Sequence, residues 1–180
     1  DPAARLLVIG LAPAAHGGNR TGRIFTGDRS GDWLFIALHG FGFANQAAST
    51  HRDDGLTLRD CYITAAVHCA PPGNRPSRAE LNRCRPYLLE EIRLLDRVEV
   101  VVALGRIALD AYLETRRALG QPRLSPRPAF AHGAAFHLPG GPLLVTSYHP
   151  SQQNTLTGRL TRPMFHRVFA RVRRALGKAK

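Results

Sequence analysis

The sequence has 180 residues, of which 44% are hydrophobic, and this size and composition fit one compact domain with its own core. No apolar run approaches the roughly eighteen consecutive residues of a membrane-spanning helix, so we expect no membrane partner. Lys and Arg number 25 against 13 acidic residues, and the resulting net charge of +12 favours a polyanionic partner, although a basic surface kept for solubility would give the same excess.

Four short apolar runs alternate with segments of helical spacing along the chain. The runs cover residues 5–11, 62–67, 98–104 and 143–147, and the predicted helices cover 33–41, 77–95, a segment after Gly105 and a basic segment from Thr161 onward. Ser77, three residues before Glu80, forms a capping-box pattern at a helix start. The alternation predicts an α/β protein, a three-layer α/β/α sandwich with a central, mostly parallel four-stranded sheet, in a single domain over residues 1–180.

Three polar or glycine-rich loops follow strand ends, at residues 12–28, 68–74 and 149–154. The carboxyl ends of parallel strands meet at one edge of a sheet, so these loops are predicted to lie side by side. Ligands of such sheets bind in the crevice beyond that edge. The sequence therefore predicts a functional site formed by three loops.

The first loop and its preceding strand end, residues 10–28, have the sequence GLAPAAHGGNRTGRIFTGD. Its glycines let the main chain approach a ligand closely, but their spacing matches neither the Walker phosphate loop nor the dinucleotide fingerprint. Arg20 and Arg23 are candidates for binding phosphate. Phe25 is a candidate for stacking on a flat ring, and Asp28 for acting on water or holding a cation. A buried Phe25 and a solvated or helix-capping Asp28 fit the residues equally well.

The last loop has the sequence HPSQQN at residues 149–154. A histidine just past a strand, held by the following proline, can donate a hydrogen bond to charge that develops on a leaving group. The alternative is a structural His149 bonded to backbone. Ser151 and the three residues after it carry hydroxyl and amide groups suited to phosphate and base contacts. Ser151 lacks the Gly-x-Ser-x-Gly surroundings of a hydrolase nucleophile.

The two loop sequences together resemble the paired signature of family 5 uracil-DNA glycosylases. The likeness extends over nearly the whole chain, including residues 53–56, 62–67 and 102–106. The resemblance implies a monofunctional DNA-repair glycosylase that flips uracil, or another deaminated or damaged base, out of DNA and hydrolyses its N-glycosidic bond. It also implies a DNA partner, a monomer, and a cytoplasmic location associated with the nucleoid.

The resemblance assigns roles to individual residues. His149 donates to the leaving base, Asp28 orients or activates water and stabilises the cationic sugar, and Asn74 assists them. The base-binding residues it implies are Leu11, Ala12, Phe25 and Ala65. The DNA-binding residues it implies are Arg20, Arg23, Ser151, Gln152, Gln153 and Asn154.

Two residues differ from the wider superfamily. Ala12 stands where several other families carry an acidic or amide residue, and Ala65 stands where many read uracil with an asparagine. Without that polar reader, a misfitting base leaves no buried group unpaired, so rejection of other bases weakens. We expect relaxed specificity that covers uracil together with hypoxanthine, xanthine or ethenocytosine.

Three cysteines are an odd number and do not form the disulfide framework of a secreted domain, so we expect a reducing compartment. By resemblance, Cys69 and Cys84 align with two of the four ligands of a [4Fe–4S] cluster, and Cys61 is a core residue. Buried apolar thiols are the alternative for all three. The chain opens with Asp1 rather than Met, so we expect an upstream segment with the other two ligands in the intact protein.

Two other functions fit parts of the sequence. A nucleoside or nucleotide hydrolase could use the same glycine-rich loop, but its small substrate would not require a net charge of +12. A non-catalytic module that binds DNA lesions would require the charge but not Asp28.

Overall fold

The computed structural model describes residues 1–178, so the last two residues of the predicted domain lie outside the described part. The strands are β1 (Leu6–Gly10), β2 (Cys61–Ala65), β3 (Val100–Leu104), β4 (Ala135–His137) and β5 (Leu143–Ser147). The helices are α1 (Gly18–Thr21), α2 (Arg29–Gly40), α3 (Arg78–Leu94), α4 (Arg106–Ala118), α5 (Gln152–Leu156) and α6 (Arg162–Lys178). A short 3-10 turn, Pro72–Asn74, lies between β2 and α3.

The strands form one sheet in the order β2-β1-β3-β5-β4, in which every pair is parallel except β4 with β5. The predicted α/β class with a mostly parallel sheet is confirmed. The predicted count of four strands was wrong by one, because β4 was not recognised. β4 has only three residues, none of them buried, and so it is too short for a hydrophobic pattern to show.

Helices cover both faces of the sheet, as the three-layer prediction requires. Alternate residues of the strands point to opposite faces, so Val8 and Val100 pack with α2 and α6. Leu7 and Val101 pack with α3 and α4 on the other face. All five residues of β1 and of β3 are buried, which explains their continuous apolar sequences.

Helix α3 begins where the capping-box pattern predicts. The Ser77 hydroxyl accepts from the Glu80 backbone N–H at 3.2 Å, and the Glu80 carboxylate accepts from the Ser77 backbone N–H at 2.6 Å. These two hydrogen bonds satisfy backbone donors that a helix start leaves free. They also fix the end of the loop that carries Asn74.

The parallel register aligns the carboxyl ends of the central strands. Gly10 at the end of β1 pairs with Ala65 at the end of β2, and Leu104 of β3 pairs with Ser147 of β5. The three loops that follow β1, β2 and β5 therefore leave the sheet along one edge, as predicted. Within residues 1–178, no helix is both long and apolar enough to cross a membrane.

Candidate active site

The three loops enclose one cavity of about 580 Å³ at the carboxyl edge of the sheet. Of the predicted residues, the cavity is lined by Leu11, Ala12, Phe25, Asp28, Asn74, His149, Ser151, Gln152 and Gln153. Sequence reasoning missed five further lining residues, which are Ala14, Arg29, Ser30, Gly73 and Arg75. A cavity of 510 Å³ between α3 and α4 is lined by none of the predicted site residues.

Phe25 has a left-handed backbone conformation, with φ of 60°, which is uncommon for a residue with a side chain. Two glycines make room for it. A Cβ on Gly10 would lie 2.8 Å from the Phe25 ring, and a Cβ on Gly31 would lie 1.8 Å from the Phe25 carbonyl oxygen. The ring is only 4% exposed, so it is both a core residue and part of the cavity wall.

The Phe25 ring stacks on the imidazole of His149, with centroids 5.6 Å apart and an angle of 24° between the planes. The first and last loops thus meet through two flat side chains. This contact presents an aromatic surface and a hydrogen-bonding ring to the same cavity.

Asp28 is the N-cap of α2, because its Oδ1 accepts from the Gly31 backbone N–H at 2.9 Å. The capping role that the sequence left open is therefore observed, and the carboxylate also lines the cavity. Burial raises the pKa of Asp28, while the backbone hydrogen bonds from Gly31 and Ser30 act in the opposite direction. Gly17 allows the close approach, since a Cβ there would lie 2.7 Å from Oδ2 of Asp28.

Burial lowers the pKa of His149 to about 4, although part of its ring faces the cavity. The imidazole is therefore neutral near pH 7 and can donate through one ring nitrogen. The loop around it is held by Asn154, whose Nδ2 donates to the His149 carbonyl oxygen at 2.9 Å. The Ser151 hydroxyl caps α5 by accepting from the Asn154 backbone N–H at 3.4 Å.

Support for the last loop also comes from residues that sequence reasoning missed. The His132 Nδ1 accepts from the Tyr148 backbone N–H at 3.2 Å, and the two rings stack at 5.2 Å. The Arg159 guanidinium lies over the Tyr148 ring, 4.6 Å from the ring centroid. These contacts fix the residue that precedes His149, and nothing in the local sequence links positions 132 and 148.

Asn74 is exposed and also has a positive φ, of 54°. It ends the Pro72–Asn74 turn, directly after Gly73 with φ of 58°. Asparagine adopts this conformation more readily than most residues, and the turn brings Asn74 to the cavity.

Four of the predicted base-binding and DNA-binding residues do not line the cavity. Arg20 is exposed, and its Nε donates to the His16 carbonyl oxygen at 3.2 Å. The Arg23 guanidinium pairs with Asp54 at 2.6 Å inside the loop region, and the Asn154 amide holds the His149 loop. Ala65 is fully buried at the end of β2. DNA contacts of the two arginines and of Asn154, and base contacts of Ala65, stay predictions.

Two exposed arginines, Arg29 and Arg75, lie on the wall of the cavity. Arg29 follows Asp28 directly, and Arg75 follows Asn74 directly. Their position next to predicted catalytic residues was the sequence signal that could have identified them as site residues. Exposed guanidinium groups beside the cavity suit contacts to a phosphate backbone.

The three cysteines differ in exposure. Cys61 is buried in β2, and burial raises the pKa of its thiol, as expected for a core residue. Cys69 is exposed in the loop after β2, and Cys84 is partly buried on α3. Across residues 1–178, no three His, Cys, Asp or Glu side chains are grouped so that they could hold a metal ion.

An α/β sandwich whose edge cavity is lined by an aromatic ring, a carboxylate and a neutral imidazole belongs to the class of proteins suited to binding a flat ring compound. Comparison with known proteins is consistent with that class. The sequence profile of the uracil DNA glycosylase superfamily matches residues 1–173. The chain therefore belongs to this superfamily.

Relatives in the type-5 group share about half of the residues of this chain. A type-5 uracil-DNA glycosylase of Thermus thermophilus is 52% identical over 177 residues, which are 98% of this chain and 78% of that protein. One of Mycobacterium bovis is 49% identical over 174 residues, which are 96% of this chain and 63% of that protein. A type-4 enzyme of Thermotoga maritima is 29% identical over 148 residues, which are 82% of this chain and 65% of that protein. The resemblance to the type-5 group is confirmed, and the chain spans less than two thirds of the mycobacterial relative.

The lowered pKa of His149 predicts a pH dependence of stability. Between pH 6.5 and about 4 the folded protein binds fewer protons at this residue than the unfolded protein does. The contribution of His149 to the free energy of unfolding is therefore fully present above pH 6.5. It is lost as the pH falls toward 4, because protonation then favours the unfolded protein. We expect urea denaturation to show a larger loss of the free energy of unfolding between about pH 7 and pH 5 in wild type than in His149→Gln. Equal losses would mean that His149 titrates like an exposed histidine.

Proposed function

We propose that this chain is the catalytic domain of a monofunctional uracil-DNA glycosylase with relaxed base specificity. The observation that carries the proposal is the convergence of Phe25, Asp28 and His149 on one cavity. The type-5 and type-4 relatives are named uracil-DNA glycosylases, which supports uracil in DNA as the substrate. Each of the three side chains is suited to one requirement of N-glycosidic hydrolysis.

The first requirement is a place for an unstacked base. A cavity of about 580 Å³ lies within the usual range of ligand pockets, about 300–1,000 Å³. Flipping a base costs a few kcal/mol of stacking and pairing, which new contacts in the pocket must offset. The Phe25 ring offers such a stacking surface, and its fixed backbone means that little further ordering is needed on binding.

The second requirement is stabilisation of the leaving base. When the bond between C1′ and the base nitrogen breaks, its electron pair stays with the base, and negative charge develops on a base oxygen. A neutral His149 donates a hydrogen bond from its ring N–H to that oxygen. The same burial that keeps the imidazole neutral also strengthens the hydrogen bond, because little water competes.

The third requirement is a nucleophile and stabilisation of the cationic sugar. Asp28 can orient a water molecule toward C1′ and, as a carboxylate, oppose the positive charge on the sugar. The water oxygen forms the new bond to C1′, and its proton passes to the carboxylate and then to solvent or the departing base. A raised pKa suits Asp28 to accepting that proton, and the cap to Gly31 fixes its geometry.

DNA binding follows from charge and from the residues around the cavity. The net charge of +12 favours a phosphate backbone, and Arg29 and Arg75 are exposed on the cavity wall, which suits them to contact the strand beside a flipped base. Gln152 and Gln153 are exposed at the start of α5, where they would contact the opened duplex. We propose that the protein acts as a monomer on chromosomal DNA, and hence in the cytoplasm at the nucleoid.

Relaxed specificity is proposed from two alanines. Ala12 lines the cavity, Ala65 ends β2 where it pairs with Gly10, and neither offers a polar side chain to read the base edge. A purine such as hypoxanthine would therefore leave no buried side-chain donor or acceptor unpaired at these positions. Backbone groups and His149 are left to recognise the base.

The test is release of base from a labelled duplex with one uracil, scored as alkali-sensitive sites. Asp28→Asn keeps a good N-cap residue, and His149→Gln keeps a hydrogen-bonding side chain, so both variants should fold. We expect each to lose about a hundredfold or more in the single-turnover rate, because a positioned electrostatic group is removed. Asp96→Asn, which removes an exposed carboxylate outside the three loops, is the matched control and should keep the wild-type rate.

The outcomes separate the candidate functions. Release of uracil by wild type, lost in both variants, supports the glycosylase. Binding of the duplex without release would favour a lesion-binding module, and cleavage of free nucleosides with little salt dependence would favour a nucleoside hydrolase. In parallel duplexes, release of uracil but not of hypoxanthine, xanthine or ethenocytosine would contradict the relaxed specificity.

We also propose that the intact protein holds a [4Fe–4S] cluster through Cys69 and Cys84. Cysteine thiolates are the usual ligands of such clusters, and the exposed position of Cys69 leaves its thiol available. Two thiolates supply half of the ligand set, so two more ligands must come from outside these 180 residues. The cluster would supply a structural cross-link between the loop after β2 and α3. A structural role is proposed because base hydrolysis transfers no electron.

The cluster proposal predicts a visible absorption band and bound iron in the intact protein. Cys69→Ala should lose both, because it removes a ligand. Cys61→Ala is the matched control and should keep both, since Cys61 is buried in β2. Iron content unchanged by Cys69→Ala would contradict the assignment.

A further inference from the structure

The segment from Asp53 to Leu56 has no part in the proposed chemistry, yet it contains a buried carboxylate. The side chain of Asp54 is only 6% exposed. Its Oδ2 accepts from the Thr50 backbone N–H at 2.7 Å, and its Oδ1 accepts from the Leu56 backbone N–H at 3.1 Å. Oδ2 also accepts from the His51 backbone N–H at 3.4 Å, so Asp54 closes its own loop, and its fourth partner comes from the first site loop.

That partner is Arg23, whose Nη2 donates to Oδ1 of Asp54 at 2.6 Å. Burial alone would raise the pKa of Asp54, but the hydrogen bonds from Arg23 and from the Thr50 and Leu56 backbone N–H groups hold it well below its usual range. The carboxylate is therefore ionised wherever the protein is folded near neutral pH. A buried charge of this kind is costly unless it stays paired, so the pair constrains both loops.

The Arg23 guanidinium reaches several groups at once. Its Nε donates to the Thr26 hydroxyl at 2.9 Å, and its Nη2 also donates to the Ser49 hydroxyl at 2.8 Å. The Thr26 and Ser49 hydroxyls are 2.7 Å apart, and both residues are buried. The Gly27 backbone N–H donates to the Ser49 carbonyl oxygen at 2.8 Å.

The residues that make these contacts lie on both sides of Phe25 in the sequence. Arg23 lies two residues before it and Thr26 one residue after it, and the Nε–Oγ1 hydrogen bond between them spans it. Phe25 has the left-handed conformation that side chains disfavour, so surrounding contacts must hold it. Asp28 follows two residues after Thr26, on the same short segment.

We propose that the Arg23–Asp54 pair is a positioning pair, which holds residues 23–28 so that Phe25 and Asp28 present their side chains to the flipped base and its sugar. This inference rests on the proposed glycosylase function. It gives Arg23 a role other than the predicted phosphate contact. It also assigns a role to Asp54, which the sequence analysis left without one.

A phosphate contact and a positioning role differ in their effect on salt dependence. An arginine that neutralises one phosphate contributes about 0.9 to the slope of log K against log salt concentration. Arg23 is already bonded to a carboxylate, two hydroxyls and the carbonyl oxygens of His51 and Arg52. We therefore expect Arg23→Gln, which removes the positive charge, to leave the salt slope of DNA binding unchanged but to slow base release, because a neutral amide cannot replace the guanidinium fork.

The main test is Asp54→Asn, assayed for single-turnover release of uracil at saturating enzyme. We expect the rate to fall about tenfold or more, since small displacements of reacting groups have effects of this size. Asp53→Asn changes the net charge equally at an adjacent exposed residue and should keep the wild-type rate. Ser49→Ala, which leaves the ion pair in place, is a milder second variant and should give a smaller decrease.

A double mutant shows whether the pair acts through Phe25. If it does, Asp54→Asn should reduce the rate of a Phe25→Leu protein much less than it reduces the wild-type rate. Fully additive effects would contradict positioning of Phe25. An unchanged rate in Asp54→Asn, with wild type active, would overturn the positioning pair while leaving the proposed function intact.

Amide hydrogen exchange provides a readout that does not depend on activity. In Asp54→Asn, exchange should become faster at residues 22–31 and stay as in wild type in β1 and β3. If wild type released no base, the proposed function would fail, and this exchange pattern would still decide whether the pair holds the loop. Faster exchange throughout the protein would indicate a general loss of stability and would contradict a local positioning role.

Discussion

The active-site geometry depends on the close approach of the Phe25 backbone to the start of α2. The Phe25 carbonyl oxygen occupies the space that a side chain at Gly31 would fill, and the Phe25 ring occupies the space above Gly10. Only glycine permits either contact. This packing sets the ring against His149 and places Asp28, three residues later, at the N-cap of the same helix. A stacking surface and a carboxylate thus come from one tightly constrained turn.

Burial in this turn changes the proton affinity of the two predicted catalytic groups in opposite directions. It raises the pKa of Asp28 and lowers that of His149, because in each case it disfavours the charged form. These protonation states suit the proposed roles, in which His149 is a neutral hydrogen-bond donor to the leaving base and Asp28 is a carboxylate that accepts a proton from water. Burial in one site therefore suits Asp28 and His149 to two different proposed roles, and no ion pair between the two residues is required.

The sequence predicted the parts of this site that depend on local pattern. Apolar runs located the four parallel strands, and the loops after them were expected to meet because parallel strands end at one edge. β4 was missed, since three partly exposed residues carry no pattern. The partners of Arg23 were also missed, because Asp54 lies 31 residues away and contact between the two depends on how both loops fold. The hydrogen bond from the Asn154 amide to the His149 carbonyl was not predicted either, because only the three-dimensional loop shows it, and the predicted DNA contact of Asn154 stays a prediction.

The proposed function requires the cavity to accept an unstacked base against Phe25. This can be measured with a duplex whose uracil nucleotide carries a 2′-fluorine, which slows cleavage because it destabilises the cationic sugar. A fluorescent 2-aminopurine placed beside the uracil brightens when its neighbour leaves the stack. Saturating wild-type protein should raise this fluorescence, and Phe25→Ala should raise it much less at equal occupancy. No rise with bound wild-type protein, or an equal rise with both proteins, would contradict the account.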